Sequence, residues 1–292
     1  MNINTDDFKV TEAFSISKAP TKIELELTAK KKIKKIEKTS KKLGKLQDKM
    51  YANNRYSVLI CLQGMDTAGK DSLIREVFKN FNARGVVVHS FKTPTSNELK
   101  HDYLWRHYIA LPQRGKFAVF NRSHYENVLV TRVHPNYILN ENLPGVDKEE
   151  DITDAFWEKR FEQINNFEQH LAENGTIVLK FFLHLGKEEQ RQRLLRRLEK
   201  EDHLWKFSAG DLNERGLWDT YQTYYEEAIS KTSKPHAPWF AIPADDKETA
   251  RLLVAKTILN ELKKYDFKEP EVSDDVLDNI ALYRVQLLNE KP

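Results

Sequence analysis

One cysteine in 292 residues, Cys61, is too few for an intramolecular disulfide or for a zinc site built on several thiolates. It stands in an apolar run and reads as a small core residue. No apolar stretch nears the roughly 20 residues that cross a bilayer. The opening MNINTDDFKV is acidic and polar, unlike a signal peptide. The expectation is a cytoplasmic protein without membrane attachment. Net charge is also scarce: 47 basic and 44 acidic side chains leave +3, so bulk charge names no partner. Internal repeats and low-complexity linkers are missing too. What is present is apolar residues at 40% under 31% charged ones, enough to bury a core beneath a charged surface. Such a chain is long for one compact domain and short for two, which suits a single core with helical attachments.

The pattern along the chain divides into an N-terminal arm and basic helix (1–50), a core (51–265) and a helical tail (266–292). Residues 1 to about 20 read as a loosely held arm. From Thr28 to Lys49 lysines crowd around a narrow stripe of Ile33, Ile36, Leu43, Leu46 and Met50, the mark of a helix docked by one face with its lysines in water or facing a polyanion. Strand candidates are 57–63, 86–91, 117–120, 176–184 and 238–242. Helical patterns fall at roughly 70–82, 98–110, 153–173, 187–200, 213–230, 246–264 and 274–288, with 136–150 as a loop or insertion. Strands alternating with helices predict an α/β fold, a parallel sheet covered on both faces.

After the first strand comes Gly64-Met65-Asp66-Thr67-Ala68-Gly69-Lys70-Asp71-Ser72, then a helical pattern. The spacing G-x-x-x-x-G-K is that of a phosphate-binding P-loop. Successive backbone N–H groups and a helix N-terminus converge there on phosphate oxygens, and the lysine adds positive charge. The Ser or Thr that ordinarily follows the lysine and holds Mg²⁺ is displaced, because Asp71 comes first and Ser72 second. Asp66 is the substitute metal ligand, since Mg²⁺ favours hard carboxylate oxygens; the alternative is that Asp66 only caps the loop.

The third strand candidate ends in Asn121-Arg122-Ser123-His124-Tyr125-Glu126. An arginine at the carboxyl end of a central strand faces the ligand crevice and can clamp phosphate bidentately; the alternative is a structural ion pair with a nearby carboxylate. His124 fits hydrogen-bonded support better than a base. Further on, residues 190–228 hold Arg191, Arg193, Arg196, Arg197 and Lys200 within three turns, then Lys206 among aromatics. This density resembles a nucleotide-kinase lid, placed at about 187–230. Arg193 and Arg197 share a face at i, i+4 and form the expected inward pair.

The runs LQDKMYANNRYSVLICLQGMDTAGKDS, NRSHYENVLVTRVHP and HLWKFSAGDLNERGLWDTYQTYYEEA, in that order, strongly resemble the polyphosphate kinase 2 family over about residues 30–265. The resemblance implies a three-layer α/β/α P-loop kinase-like core with a lid, dependence on Mg²⁺ (or Mn²⁺), and a homo-oligomer, dimer or tetramer. It also implies inorganic polyphosphate as donor and nucleoside mono- and diphosphates as acceptors. Asp66, Gly69, Lys70, Arg122 and Lys206 match family positions, and Asn121 together with Glu126 resembles the branch that accepts both kinds of acceptor.

Asp66, Lys70 and Arg122 are therefore expected to be catalytic. Gly64, Thr67, Ala68, Gly69, Asp71, Ser72, Asn121, Glu126, Arg193, Arg197 and Lys206 are expected to bind phosphates or nucleotide. The acceptor is already an anion, so transfer needs alignment and charge neutralisation rather than a strong base. No specific nucleic acid and no membrane partner is expected. Two other readings share the same residues: an ATP-dependent nucleoside monophosphate kinase, and a non-enzymatic binder of nucleotide or polyphosphate.

Overall fold

The structure is a computed structural model and describes residues 3–11, 13–199 and 208–290. Among these, β1 (Ser57–Gln63), β2 (Val86–Ser90), β3 (Phe117–Asn121), β4 (Thr176–His184) and β5 (Trp239–Pro243) form one sheet in the order β2-β3-β1-β4-β5. Every pairing is parallel, with Val58 opposite both Phe117 and Ile177. All seven residues of β1 are buried, as a strand flanked by two neighbours and covered on both faces requires. The chain builds β2 and β3 on one side of β1, then β4 and β5 on the other. The crevice at that reversal lies beyond the carboxyl end of β1.

The longer helices are α1 (Ala29–Asn53) and α2 (Lys70–Phe78), separated by one-turn helices α3 (Trp105–Tyr108), α4 (Val130–Val133) and α5 (Asn136–Leu139) from the rest. These are α6 (Asp154–Glu173), α7 (Lys187–Glu199), α8 (Ala209–Gly216), α9 (Trp218–Thr232), α10 (Lys247–Leu262) and α11 (Asp274–Asn289). Alternation along β1 sorts the layers. Val58, Ile60 and Leu62 pack into the core that holds Leu43 of α1, Leu73 of α2 and Leu253 of α10. Leu59 and Cys61 face the opposite side, with Phe167 and Leu171 of α6. The result is the expected three-layer α/β/α sandwich.

The structure corrects several expectations. The arm is not loosely held: Val10 N–H donates to the Trp239 carbonyl at 2.9 Å and Ile16 N–H to Glu226 at 2.6 Å. Phe14 packs edge-on against Phe182. Ile33 is 51% exposed, so the docking stripe of α1 begins at Ile36. The helix expected over 98–110 is broken into a short turn and α3, because Asp102 Oδ1 accepts from Leu104 N–H and restarts the chain locally. The pattern at 213–230 divides at Gly216, a poor helix former, into α8 and α9.

Candidate active site

The loop after β1 turns on glycines for steric reasons. A Cβ on Gly64, at φ +150°, would sit 2.8 Å from the Leu183 carbonyl of the neighbouring strand. Gly69 stands at φ +101°, in the left-handed region open to glycine, and is the N-cap of α2. The first N–H groups of α2 have no intrahelical acceptor and face the cavity in which phosphate would lie. Lys70 Nζ lies back along the loop, 2.7 Å from the Gly64 carbonyl. Burial first, then the Arg122 guanidinium, press its ammonium down to about 8. Ser72 Oγ donates to the Gly69 carbonyl at 3.0 Å and so secures the turn.

The second motif is fastened to this loop. Arg122 N–H donates to the Leu62 carbonyl at 3.1 Å, with the arginine itself in the left-handed region at φ +62°. That conformation costs a β-carbon residue roughly 1–3 kcal/mol and is held by its surroundings. Its guanidinium reaches Asp66 at 2.9 Å through Nη2 and Glu126 at 3.2 Å through Nη1. Those two carboxylates, Glu126 foremost, raise its pKa further above the arginine range. Asn121 Nδ2 donates to Asp71 Oδ1 at 2.6 Å, which ties the end of β3 to the first turn of α2.

Beneath the turn lies a buried polar cluster. Lys180 of β4 donates to Glu168 at 2.5 Å, to Tyr125 Oη at 2.8 Å and to the Thr232 carbonyl at 2.7 Å. Glu168 also contacts His124 Nε2 at 3.0 Å. His124 is fully buried, so it supports the turn and does not face the cavity.

Two cavities meet at this motif. The larger, about 740 Å³, holds the P-loop residues Asp66, Lys70 and Asp71 together with Arg196, Arg197 and Lys247. The smaller, about 220 Å³, is lined by Tyr103, Arg106, Glu126, Tyr137 and apolar Leu99 and Val130. Lys92, Thr93 and Arg122 belong to both.

A family model described as Polyphosphate kinase 2 matches residues 26–270. The chain belongs to the polyphosphate kinase 2 family. It is 44% identical to an ADP-polyphosphate phosphotransferase of Rhodopseudomonas palustris, over 99% of this chain and 100% of that one. It is also 44% identical to an AMP/ADP-polyphosphate phosphotransferase of Meiothermus ruber, over 81% of this chain and 84% of that one. A crystal structure of polyphosphate kinase 2 from Arthrobacter aurescens TC1 superposes with a TM-score of 0.88 at 33% identity, covering 98% of this chain and 96% of that one.

Within this polyphosphate kinase 2 fold, the residues singled out from the sequence are placed unevenly. Asp66, Thr67, Gly69, Lys70, Asp71, Ser72, Asn121, Arg122, Arg193 and Arg197 come together around the larger cavity. Glu126 lines the smaller one. Gly64 and Ala68 are buried in the loop and shape it. Lys206 lies outside the described residues.

Arg193 requires correction. Its five N–H groups are committed to Glu189 and to the carbonyls of Thr67, Ala68, Ala244 and Asp245, at 2.7–3.2 Å. It braces the P-loop against the turn before α10 and has no donor left for an anionic chain. Arg197 is half-buried, with Nη1 3.2 Å from Asp211. Sequence reasoning passed over Lys92, Arg106 and Lys247. Lys247 opens the helix after β5, the position in a parallel sheet where a ligand-facing residue belongs, and that was the signal available.

The donor set around Asp66 suits Mg²⁺. Asp66 and Asp71 both line the larger cavity, and Mg²⁺ takes one or two carboxylates with substrate phosphates and water completing its shell. Among the described residues no group of three or more His, Cys, Asp or Glu converges into a cage, so phosphate would have to supply the remaining ligands.

Proposed function

We propose that this chain transfers the terminal phosphoryl group of inorganic polyphosphate to nucleoside mono- and diphosphates, yielding di- and triphosphates. The observation that carries this reading is the meeting of two cavities at Arg122, one lined by lysine and arginine, the other by aromatic, apolar and a few charged side chains. An anionic chain without bases suits the first. A nucleotide, with a ring to stack and phosphates to pair, suits the second, which Tyr103, Tyr137 and Arg106 line.

The reaction breaks one phosphoanhydride and makes another. An oxygen of the acceptor's terminal phosphate attacks the terminal phosphorus of polyphosphate, and the shortened chain leaves carrying the bridging oxygen. Lys70 and Arg122 neutralise charge on the transferring group, and Arg122 keeps its orientation because Asp66 and Glu126 hold it from two sides. Asp66 and Asp71 would hold Mg²⁺, which when bound supplies further charge neutralisation on the phosphate oxygens. No group is asked to act as a strong base. With bonds of similar energy broken and formed, the reaction runs in both directions.

The setting we propose is the cytoplasm; among the described residues no helix is long and apolar enough to cross a membrane. We also propose a homo-oligomer, because α11 and the edge strand β2 leave large apolar side chains exposed, among them Ile280, Leu288, Val87 and Val88. No specific nucleic acid takes part.

The test is direct. Purified protein is given AMP or ADP, polyphosphate and Mg²⁺, without ATP, and nucleotide products are separated by chromatography. Formation of ADP from AMP and of ATP from ADP is the expected result. Activity that appears only when ATP is the donor would assign the protein to the ATP-dependent monophosphate kinases instead.

A further inference from the structure

The proposed activity uses the P-loop cavity and leaves a lysine-lined surface, the outer face of α1, without a task. We propose that this face is a second binding site for long-chain polyphosphate, holding the part of the chain that trails out of the catalytic cavity. The proposal rests on polyphosphate being the phosphoryl donor.

Lys34, Lys38, Lys42 and Lys45 are exposed and follow one another at helical spacing, so they stand on one face of α1. With Lys41 and Glu37 they line an open groove of about 460 Å³. Lys41 pairs with Glu37 at 2.8 Å, and the other four have no ion-pair partner among the described residues. From Lys34 to Lys45 the stripe is roughly 16 Å long at the helical rise. Like charges at i, i+4 work against a helix by a few tenths of a kcal/mol per pair. Here α1 is kept in place from its other side, where Ile36, Leu43 and Met50 are buried.

The fold connects this stripe to the active site. Lys32, near the start of α1, donates to Asp246 at 3.0 Å, and the next residue, Lys247, lines the P-loop cavity. Arg251 stands one turn on from Lys247 along α10, so positive charge continues out of the cavity there. Lys79 at the end of α2 acts on Glu76, which also feels Arg251, and on Glu37, in the groove of α1. The carboxylates along this route, Asp246, Glu189, Glu248, Glu76 and Glu37, are each already engaged by a neighbouring cation. The route therefore carries surplus positive charge from Lys247 to Lys45.

The chemistry of the groove selects the ligand. Its lining is lysine and glutamate alone, with no aromatic ring on which a base could stack. Lysine ammoniums are point charges that suit a flexible chain of phosphates and read nothing else. Inorganic polyphosphate fits that description better than a nucleic acid does.

The combined variant Lys34→Ala, Lys38→Ala, Lys42→Ala, Lys45→Ala tests the idea, since all four side chains are exposed and none touches the catalytic cavity. Steady-state kinetics are measured with long-chain polyphosphate and with tripolyphosphate, over a range of salt. The expected result is a KM for the long chain raised about tenfold, with its salt slope made shallower by roughly 3, as loss of four phosphate contacts predicts. The kcat and the tripolyphosphate kinetics stay as they were. Unchanged KM and salt slope with the long chain would overturn the proposal, and so would an equal loss with tripolyphosphate.

Equilibrium binding of labelled long-chain polyphosphate to Lys70→Ala protein, with and without the four substitutions, gives a readout independent of turnover. Weaker binding on substitution supports the site even if the unsubstituted protein proves to use another donor. Equal binding, or a face that holds single-stranded RNA and not polyphosphate, removes it.

Discussion

Arg122 donates from Nη2 to Asp66 Oδ1 across 2.9 Å, so the strand-end motif and the P-loop are clamped together before any phosphate arrives. The same guanidinium contacts Glu126 at 3.2 Å, which fixes its plane from a second direction. A flat fork held at both ends is preorganised for a transferring phosphoryl group, because little reorientation is left to do in the transition state.

Replacing that fork by a point charge should therefore be costly. Arg122→Lys is expected to lower kcat about 10²–10³-fold, the usual loss for one preorganised transition-state donor. Thermal stability should change little, since both acidic partners remain partly exposed. Rate constants and melting curves on the same preparation check both halves. A kcat within threefold of the parent, by rough estimate, would remove Arg122 from the transition state.

The pH response of Lys70 has two opposite signs. Burial and Arg122 lower its ammonium to about 8 in the ligand-free protein, so kcat/KM should fall as pH rises through about 8. Over the same window, up to the ordinary lysine range, the unfolded chain holds a proton that the folded one has lost. Stability from this group accordingly rises with pH while activity declines. Lys70→Met should abolish turnover and flatten that part of the stability profile, as chemical denaturation at several pH values would show.

The Asn121–Asp71 hydrogen bond offers a test for a bound cation. Asn121→Asp replaces a donor 2.6 Å from Asp71 Oδ1 by a second carboxylate. The variant should lose about 1–2 kcal/mol without divalent cation, since like charges at that separation disfavour each other's ionisation. Mg²⁺ should recover much of the loss by bridging the two. Melting temperatures with Mg²⁺ and with chelator measure the difference, and an equal deficit in both would show that no cation is held there.

Arg193 supplies a contrast between charge and geometry. Arg193→Lys retains the positive charge but cannot reach four carbonyls and Glu189 at once. It should destabilise the protein by about 2–4 kcal/mol, through carbonyls left buried without donors. Urea unfolding gives the figure. A variant as stable as the parent would return Arg193 to the phosphate-binding group.

Much of the core architecture was legible because its signals are local. The run Val58–Leu62 is apolar throughout and reads as a buried strand. The glycine spacing that follows it, set between a strand and a helical pattern, reads as a phosphate loop. The break at Asp102 was less visible, because one side-chain cap outweighed a helical pattern that reads continuously in the sequence. The docking of the arm was hidden for another reason. Val10 and Phe14 have no periodic partner in sequence and meet β5 and β4 only across the long stretch of chain that separates them.

Sequence alone determined which chemistry this protein holds: Lys70 on a glycine-flanked turn, Arg122 at a strand end, and arginines spaced along one helix. Which of those cations is spent on the protein itself was decided by tertiary structure, because Arg193 and Arg197 are indistinguishable as spacing. Both line the larger cavity, but Glu189 and four backbone carbonyls take up every donor Arg193 has, whereas Arg197, four residues on, pairs through Nη1 with Asp211. Hydrogen-bond demand in a buried place is a property of the whole packed chain, and no local pattern records it.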